Sequence, residues 1–468
     1  MTLRDKTQPV SPGTARGAAA DAAEGDGLPE KARFLRGSIL RHVLVMSLTG
    51  SAGLMFMFLV DAATLFWVSR LGEESLLAAL GFAWTVQFFT ISVGIGLMIA
   101  ATALVSRSIG QGKIEQARRQ TTVAALYGLA IQTVIAALVV TFRHQILALA
   151  GAEGQTAQDA ARFLAISVPS LPIMALGMVA SAALRAVGDA WRAMFVTMSA
   201  GAVAMVVDPL LIFGLGLGYD GAAWGVVLSR ITSAALGFWF LVSAHAMLAT
   251  PTRADLRALI MPFVAIAAPA IVTQLATPMG NYLLTAVISA YGDAAVAGWA
   301  VISRLSVLAF GGLFALSGAI GGIIGQNYGA GLIDRVERTF IEALRVCVVY
   351  TLFAWAALAA LRGPIVVTFG LEGVAVDVLT AFLFLGAGSF MFTGAIFVAN
   401  AAFNNLGRPL YSTACNWLRD GVLTWPCCVA LGAAFGAPGV IYGSGLAAFL
   451  AGVGATIWAW RFVRALPR

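Results

Sequence analysis

An unbroken run of about twenty apolar residues is the length a helix needs to cross the hydrocarbon core of a bilayer, and such runs recur along most of this chain. Hydrophobic residues make up 60% of the 468 positions and charged residues only 11%. Soluble domains carry about 25% charged residues. Lipid offers the backbone no hydrogen-bond partner, so a spanning segment is either a helix or part of a closed barrel. Barrel strands are short and alternate in polarity, whereas these runs are long and continuous, which selects helices. The 51 glycines follow no Gly-X-Y period, so a fibrous chain is excluded. The expected fold is an all-α polytopic membrane protein.

Twelve spans are predicted, at about 43–69, 76–105, 120–142, 160–184, 191–215, 222–248, 262–290, 294–324, 340–361, 377–402, 410–433 and 438–462, separated by glycine, proline and small polar residues. Residues 1–36 are polar and Ala/Gly-rich without an apolar h-region, and are expected to be a disordered tail rather than a signal peptide. Phe34, Leu35, Ile39 and Leu40 interleave with Arg33, Arg36 and Arg41, a pattern for a short interfacial helix leading into the first span. With a cytoplasmic N-terminus, most of the 29 Lys and Arg fall inside, including those of the 106–119 loop, Arg185, Arg335 and Arg419. Arg70, Arg143, Arg162 and Arg362 fall outside, while Arg230 and Arg304 lie within spans. Both termini are therefore expected in the cytoplasm, with the chain in the inner, or plasma, membrane.

The two halves repeat. Ser106 to Glu115 (SRSIGQGKIE) resembles Gly325 to Asp334 (GQNYGAGLID), so that Gly110 and Gly329 stand 219 positions apart, as do Gly188 and Gly407. Two six-helix bundles, 37–250 and 251–468, are expected, related by an axis along the membrane normal and leaving a cavity between them.

Other function classes find no support. The net charge of +7 forms no basic stripe interleaved with aromatics, so nucleic acid is excluded as a partner. Cys347, Cys415, Cys427 and Cys428 lack metal-ligand spacing, and His42, His144 and His245 are scattered, so neither a metal site nor an enzyme's nucleophile–base pair is expected.

Buried charge is the sharpest signal, because a carboxylate at the bilayer centre costs about 2.5–3.5 kcal/mol even on the lenient insertion scale. Asp61 lies nine residues before Arg70, about 13 Å below the end of the first span, and Asp208 six before Gly214, about 9 Å below the end of the fifth. The two can share one pocket, where burial and mutual repulsion make protonation near neutral pH plausible. The other reading is that each only caps or ties a broken helix. Asp189 reads as a helix N-cap, and Asp420 beside Arg419 as an interfacial pair near the start of the eleventh span.

Val60-Asp61 followed by Leu71-Gly72 and Leu77-Ala78-Ala79, the paired Gly-x-Gly loops, Leu184-Arg185-Ala186-x-Gly188-Asp189, and Asp208-Pro209-Leu210-Leu211-Ile212-Phe213-Gly214 with Gly221-Ala222-Ala223 together resemble the multidrug and toxic compound extrusion (MATE) family, from about residue 37 onward. The resemblance implies a V-shaped antiporter of twelve helices that exports small organic, often cationic, compounds on a proton or sodium gradient. It implies coupling through Asp61 and Asp208. NorM-like relatives carry acids in helices 7 and 10 where this chain has Gln274, Thr277 and Thr393, so it looks closer to the DinF-like group. Ala204 stands where many relatives have Asn and Val226 where a Thr is common, and no proline occurs between Pro29 and Pro169 to kink the first helix, although Gly50 and Gly53 could bend it. Losing those two oxygen ligands favours a proton over sodium.

Arg230 either pairs with backbone carbonyls or lines the cleft or, in the sharper reading, contacts Asp208 in the place of a sodium ion and joins the coupling set. Trp84, Gln87, Met174, Met178, Gln274, Asn281, Tyr282 and Trp299 are candidates for a substrate cavity, with ordinary helix packing the competing reading. Gly311, Gly312, Gly318, Gly321, Gly322 and Gly325 read as close-packing positions. A small organic substrate and membrane lipid are the expected partners of a monomer that needs no cofactor or metal beyond the coupling gradient. The alternative is a lipid-linked saccharide flippase of the same wider superfamily.

Overall fold

The computed structural model describes residues 31–467, and every regular element among them is helical. The helices are α1 (Ile39–Ser69), α2 (Glu74–Gly110), α3 (Ile114–Thr141), α4 (Gly154–Val187), α5 (Ala190–Gly214) and α6 (Tyr219–Ser243) in the first half. The second half has α7 (Arg253–Ser289), α8 (Asp293–Gly329), α9 (Ile333–Ala360), α10 (374–405), α11 (409–435) and α12 (Ala437–Arg464). This is the expected pair of six-helix bundles. Most helices run a few residues past the predicted apolar stretches, because their ends continue as polar turns that hydropathy alone does not register.

The breaks have chemical causes. Pro169 lacks an N–H and tightens α4 into a 3-10 turn at Val168–Ser170. Pro209 precedes a π turn at Leu210–Gly214 in α5. A second π turn, Leu418–Leu423, interrupts α11 at its centre and holds Arg419 and Asp420. That places the pair ten and eleven residues beyond Pro409 and buries both, which corrects the reading of an interfacial pair. Arg419 Nε and Nη2 donate to the two Asp420 oxygens at 2.7 Å, so each charge is carried into the bundle already paired.

The two halves meet where α2 crosses α8, and the internal repeat is visible in the contacts themselves. A Cβ on Gly110 would collide with the Gln326 carbonyl oxygen, and a Cβ on Gly329 with the Arg107 carbonyl oxygen. Arg107 Nη2 donates to Asn405 O at 2.7 Å while Gln326 Nε2 donates to Ala186 O at 2.6 Å. Each contact becomes the other under a shift of 219 residues. Glycine is required on both sides because backbone meets backbone with no room for a side chain.

The chain's first described residues bridge this seam. The tail reading for 1–36 falls mostly on residues outside the described part, but Ala32, Phe34 and Leu35 are buried and Arg33–Leu35 form a 3-10 turn. Phe34 N donates to Gln326 Oε1 at 3.0 Å, Arg335 Nη2 donates to Phe34 O at 3.1 Å, and Arg33 Nη1 donates to Gly188 O at 3.3 Å. The segment docks because the apolar ring of Phe34 finds a pocket between the halves, something composition cannot reveal.

Helix α1 is continuous, and its glycines pack rather than bend. A Cβ on Gly53 would sit 3.6 Å from Thr197 of α5, and one on Gly50 would sit 3.3 Å from Ala315 Cβ of α8. The latter spacing is a few tenths of an ångström under the roughly 3.5–4.5 Å of a disulfide's Cβ atoms, so a small shift of the helices accommodates one. In a background lacking the four native cysteines, Gly50→Cys with Ala315→Cys is expected to cross-link under mild oxidation and to stop transport until reduced. A pair that stays reduced while the protein is folded would contradict the seam.

Candidate functional site

Small residues bring α1, α5 and α6 together around Asp208. A Cβ on Gly201 of α5 would lie 2.9 Å from Phe56 and Val60 of α1, and one on Gly221 of α6 would lie 2.7 Å from Ile212 N in the π turn. Asp208 is 2% exposed. Its Oδ2 accepts from Thr64 Oγ1 of α1 at 2.5 Å. Its Oδ1 lies against Gly225 of α6, so close that a Cβ there would overlap it, and has no hydrogen-bond partner among the described residues. Asp61, three residues before Thr64, is exposed and near enough for its charge to interact with that of Asp208. One carboxylate is thus exposed and its neighbour is closed off, with a hydroxyl between their helices.

Arg230 does not contact Asp208. It is 7% exposed and its guanidinium donates to Ser167 O at 2.8 Å, Ser170 Oγ at 2.9 Å and Gln87 Oε1 at 2.7 Å. The 3-10 turn explains this choice. Leu171 N bonds to Val168 O, leaving Ser167 O free for another donor. Arg230 therefore ties α6 to the break in α4 and to α2, which removes the idea that it occupies a sodium position beside Asp208.

The proposed cavity residues divide. Gln87 is 5% exposed and committed to Arg230, while Trp84 and Met174 pack on the apolar core of the first half and Met178 faces Gly94. Gln274 is half-buried. Asn281 and Tyr282 are exposed, the tyrosine at 70%, and Trp299 Nε1 donates to Thr285 Oγ1 at 3.0 Å. Sequence reasoning missed Thr64 and Gly225, since a hydroxyl and a glycine within spans carry no signal until the helices are placed.

The cleft itself follows from helical phase. On α8 the face bearing Gly311, where a Cβ would lie 3.5 Å from Met55 of α1, continues away from the seam as Leu308, Arg304 and Ala300, all exposed. On α1 the face of Met55 continues as Leu59, Ala62 and Phe66, also exposed. Gly96 of α2 meets Ile271 of α7, and the same faces continue as exposed Phe89 and Thr85 on α2 and exposed Tyr282 and Thr285 on α7. Surfaces that touch at the seam thus diverge with distance from it, leaving a groove between the halves.

Outside the spans, Asp189 caps α5 by accepting from Arg192 N at 3.1 Å. Burial opposes its charge, but hydrogen bonds from His245 and Arg192 outweigh that and hold its carboxyl well below the usual carboxylate range. Among the described residues no group of His, Cys, Asp and Glu is arranged to hold a metal.

The MatE family model matches this chain twice, at residues 51–210 and 269–429, once per half. The chain is 27% identical to the FAD transporter of Shewanella oneidensis over 399 residues, 84% of this chain and 88% of the relative. It is 22% identical to the multidrug export protein MepA of Staphylococcus aureus over 420 residues, 87% of this chain and 91% of that one. A crystal structure of a mutant of the Vibrio cholerae MATE transporter VcmN superposes with a TM-score of 0.87 at 23% identity, over 92% of this chain and 98% of the other.

Two substitutions test the site. Gly225→Ala improves helix propensity by about 1 kcal/mol but pushes a methyl group into Asp208. It is expected to suppress transport in a protein that still folds, and full activity would refute the contact. Arg230→Gln is expected to lower thermal stability, because buried acceptors lose donors at about 1–3 kcal/mol each. The pH profile of transport should keep its position; a displaced profile would show that Arg230 acts on the carboxylates after all.

Proposed function

Since the chain belongs to the MatE family of membrane transporters, which are not enzymes, we propose that it is a proton-coupled antiporter that exports small organic compounds across the inner membrane. The observation that carries the reading is the Asp61–Asp208 pair. Among the described residues Asp208 holds one oxygen buried without a donor, and Asp61 is exposed beside it. A proton is the smallest species that can reach such an oxygen, and its arrival neutralises a charge in a buried site.

Sodium fits less well. It is a hard cation that needs several oxygens, and Thr64 supplies one hydroxyl while Ala204 and Val226 supply none from the side chain. The Lys and Arg distribution supports a cytoplasmic seam, with Arg107, Arg185 and Arg335, and on that reading the groove opens outward. A transporter in this state can load protons on Asp61 and Asp208 from outside and release substrate there.

In proteoliposomes, Asp61→Asn and Asp208→Asn are each expected to reduce gradient-driven substrate accumulation to that of protein-free liposomes while the protein still inserts. Wild-type protein is expected to respond to an imposed pH gradient and not to a sodium gradient at fixed pH. A neutral variant that still accumulates substrate, or transport that follows sodium alone, would overturn the reading.

A further inference from the structure

Arg304 is left without a structural role. It lies inside the apolar stretch of α8, eleven residues beyond Asp293, and it is exposed. Among the described residues it makes no hydrogen bond, ion pair or ring contact. The other arginines of the spans' interior are tied down, Arg230 to three acceptors and Arg419 to Asp420.

A guanidinium facing lipid is expensive, whereas one facing a water-filled cleft keeps its hydration. Helical phase independently assigns the second location. Arg304 stands seven residues before Gly311, hence on the same face of α8, and at Gly311 that face meets Met55 of α1. The neighbouring wall of the groove is α7, whose Tyr282 and Thr285 are exposed on the face that lower down meets α2. Trp299 of α8 donates to Thr285, which holds the two helices together on this side of the groove. Phe89 of α2 is 49% exposed on the groove's other side.

We propose that Arg304 is the anchor for an acidic group on the transported compound, and that the groove takes aromatic organic anions bearing a carboxylate or phosphate. This rests on the antiport reading above and narrows its substrate class. The guanidinium offers five donors in a planar fork suited to two oxygens, and all five are unspent. Flat side chains at Tyr282 and Phe89 supply apolar surface for the rest of the molecule. Charge separates the labour between the halves. Asp61 and Asp208 in the first handle the coupling cation, while Arg304 in the second handles the substrate, so a bound acid does not meet the carboxylates it would repel.

The test uses two dyes with one ring system and opposite charge, fluorescein as the anion and rhodamine 6G as the cation. Binding is read by fluorescence anisotropy on purified full-length protein and efflux in proteoliposomes under a pH gradient. Arg304→Gln is expected to weaken fluorescein binding and raise its KM by about tenfold or more, as the loss of a charge-assisted contact implies. Arg304→Lys, which keeps the charge, should recover most of it, and rhodamine 6G should be unaffected by either. Asp61→Asn should stop efflux of any dye transported while leaving fluorescein binding in place, so failure of the coupling reading appears in efflux and failure of this one in binding. Wild-type protein that does not bind fluorescein, or an Arg304→Gln variant that binds it unchanged or loses both dyes equally, overturns the proposal.

Discussion

Everything in this molecule hangs on two glycines that let the backbones of α2 and α8 touch. Gly110 against Gln326 and Gly329 against Arg107 form one contact made twice, once from each half. Because no side chain intervenes, the crossing cannot be loosened gradually. It is either packed or separated, and close-packed interfaces of that kind have discrete states rather than a continuum. The hydrogen bonds from Arg107 to Asn405 and from Gln326 to Ala186 share the same pseudo-symmetry, so breaking one side of the seam leaves its partner exposed as well. Residues 32–37 add a strap across the same line through Phe34, Arg33 and Arg335.

With the seam packed, the helices diverge on the other side, and the charged groups sort themselves by their access to the opening. Asp208 is enclosed by Thr64 and Gly225, Asp61 is exposed, and Arg304 stands on the far wall. Two further arginines lie at helix breaks: Arg230 ties α6 to the 3-10 turn of α4, and Arg419 sits within the π turn of α11, paired with its neighbour Asp420. At the α4 break the buried guanidinium and the distorted turn are complementary, because the turn leaves the Ser167 carbonyl open to a donor and Arg230 has donors to give.

The fold was largely legible before any coordinates. Apolar runs of bilayer length counted the helices, and the shift of 219 residues disclosed the two bundles. Asp61 and Asp208 stood out because carboxylates are rare at such depth. What stayed hidden depended on which faces meet. Arg230 sits at nearly the depth of Asp208, so one-dimensional spacing suggested a contact, yet the helical face and the break at Pro169 directed it to Ser167, Ser170 and Gln87. Asp420 looked interfacial because Arg419 adjoins it, whereas the pair is self-neutralised and can be buried together. Gly225 and Thr64 carried no signal at all until α6 and α1 were set beside α5.

If the seam and the groove are two ends of one rigid-body motion, closing one must open the other. Spin labels at the exposed positions Leu149 and Val367, one on each half away from the seam, report the groove, and labels at Gln116 and Arg338 report the seam. Distance distributions from electron–electron resonance, taken on both pairs while pH is varied, should show the groove distance shortening in the population whose seam distance lengthens. A groove that closes while the seam distance stays fixed would contradict alternating access about this crossing.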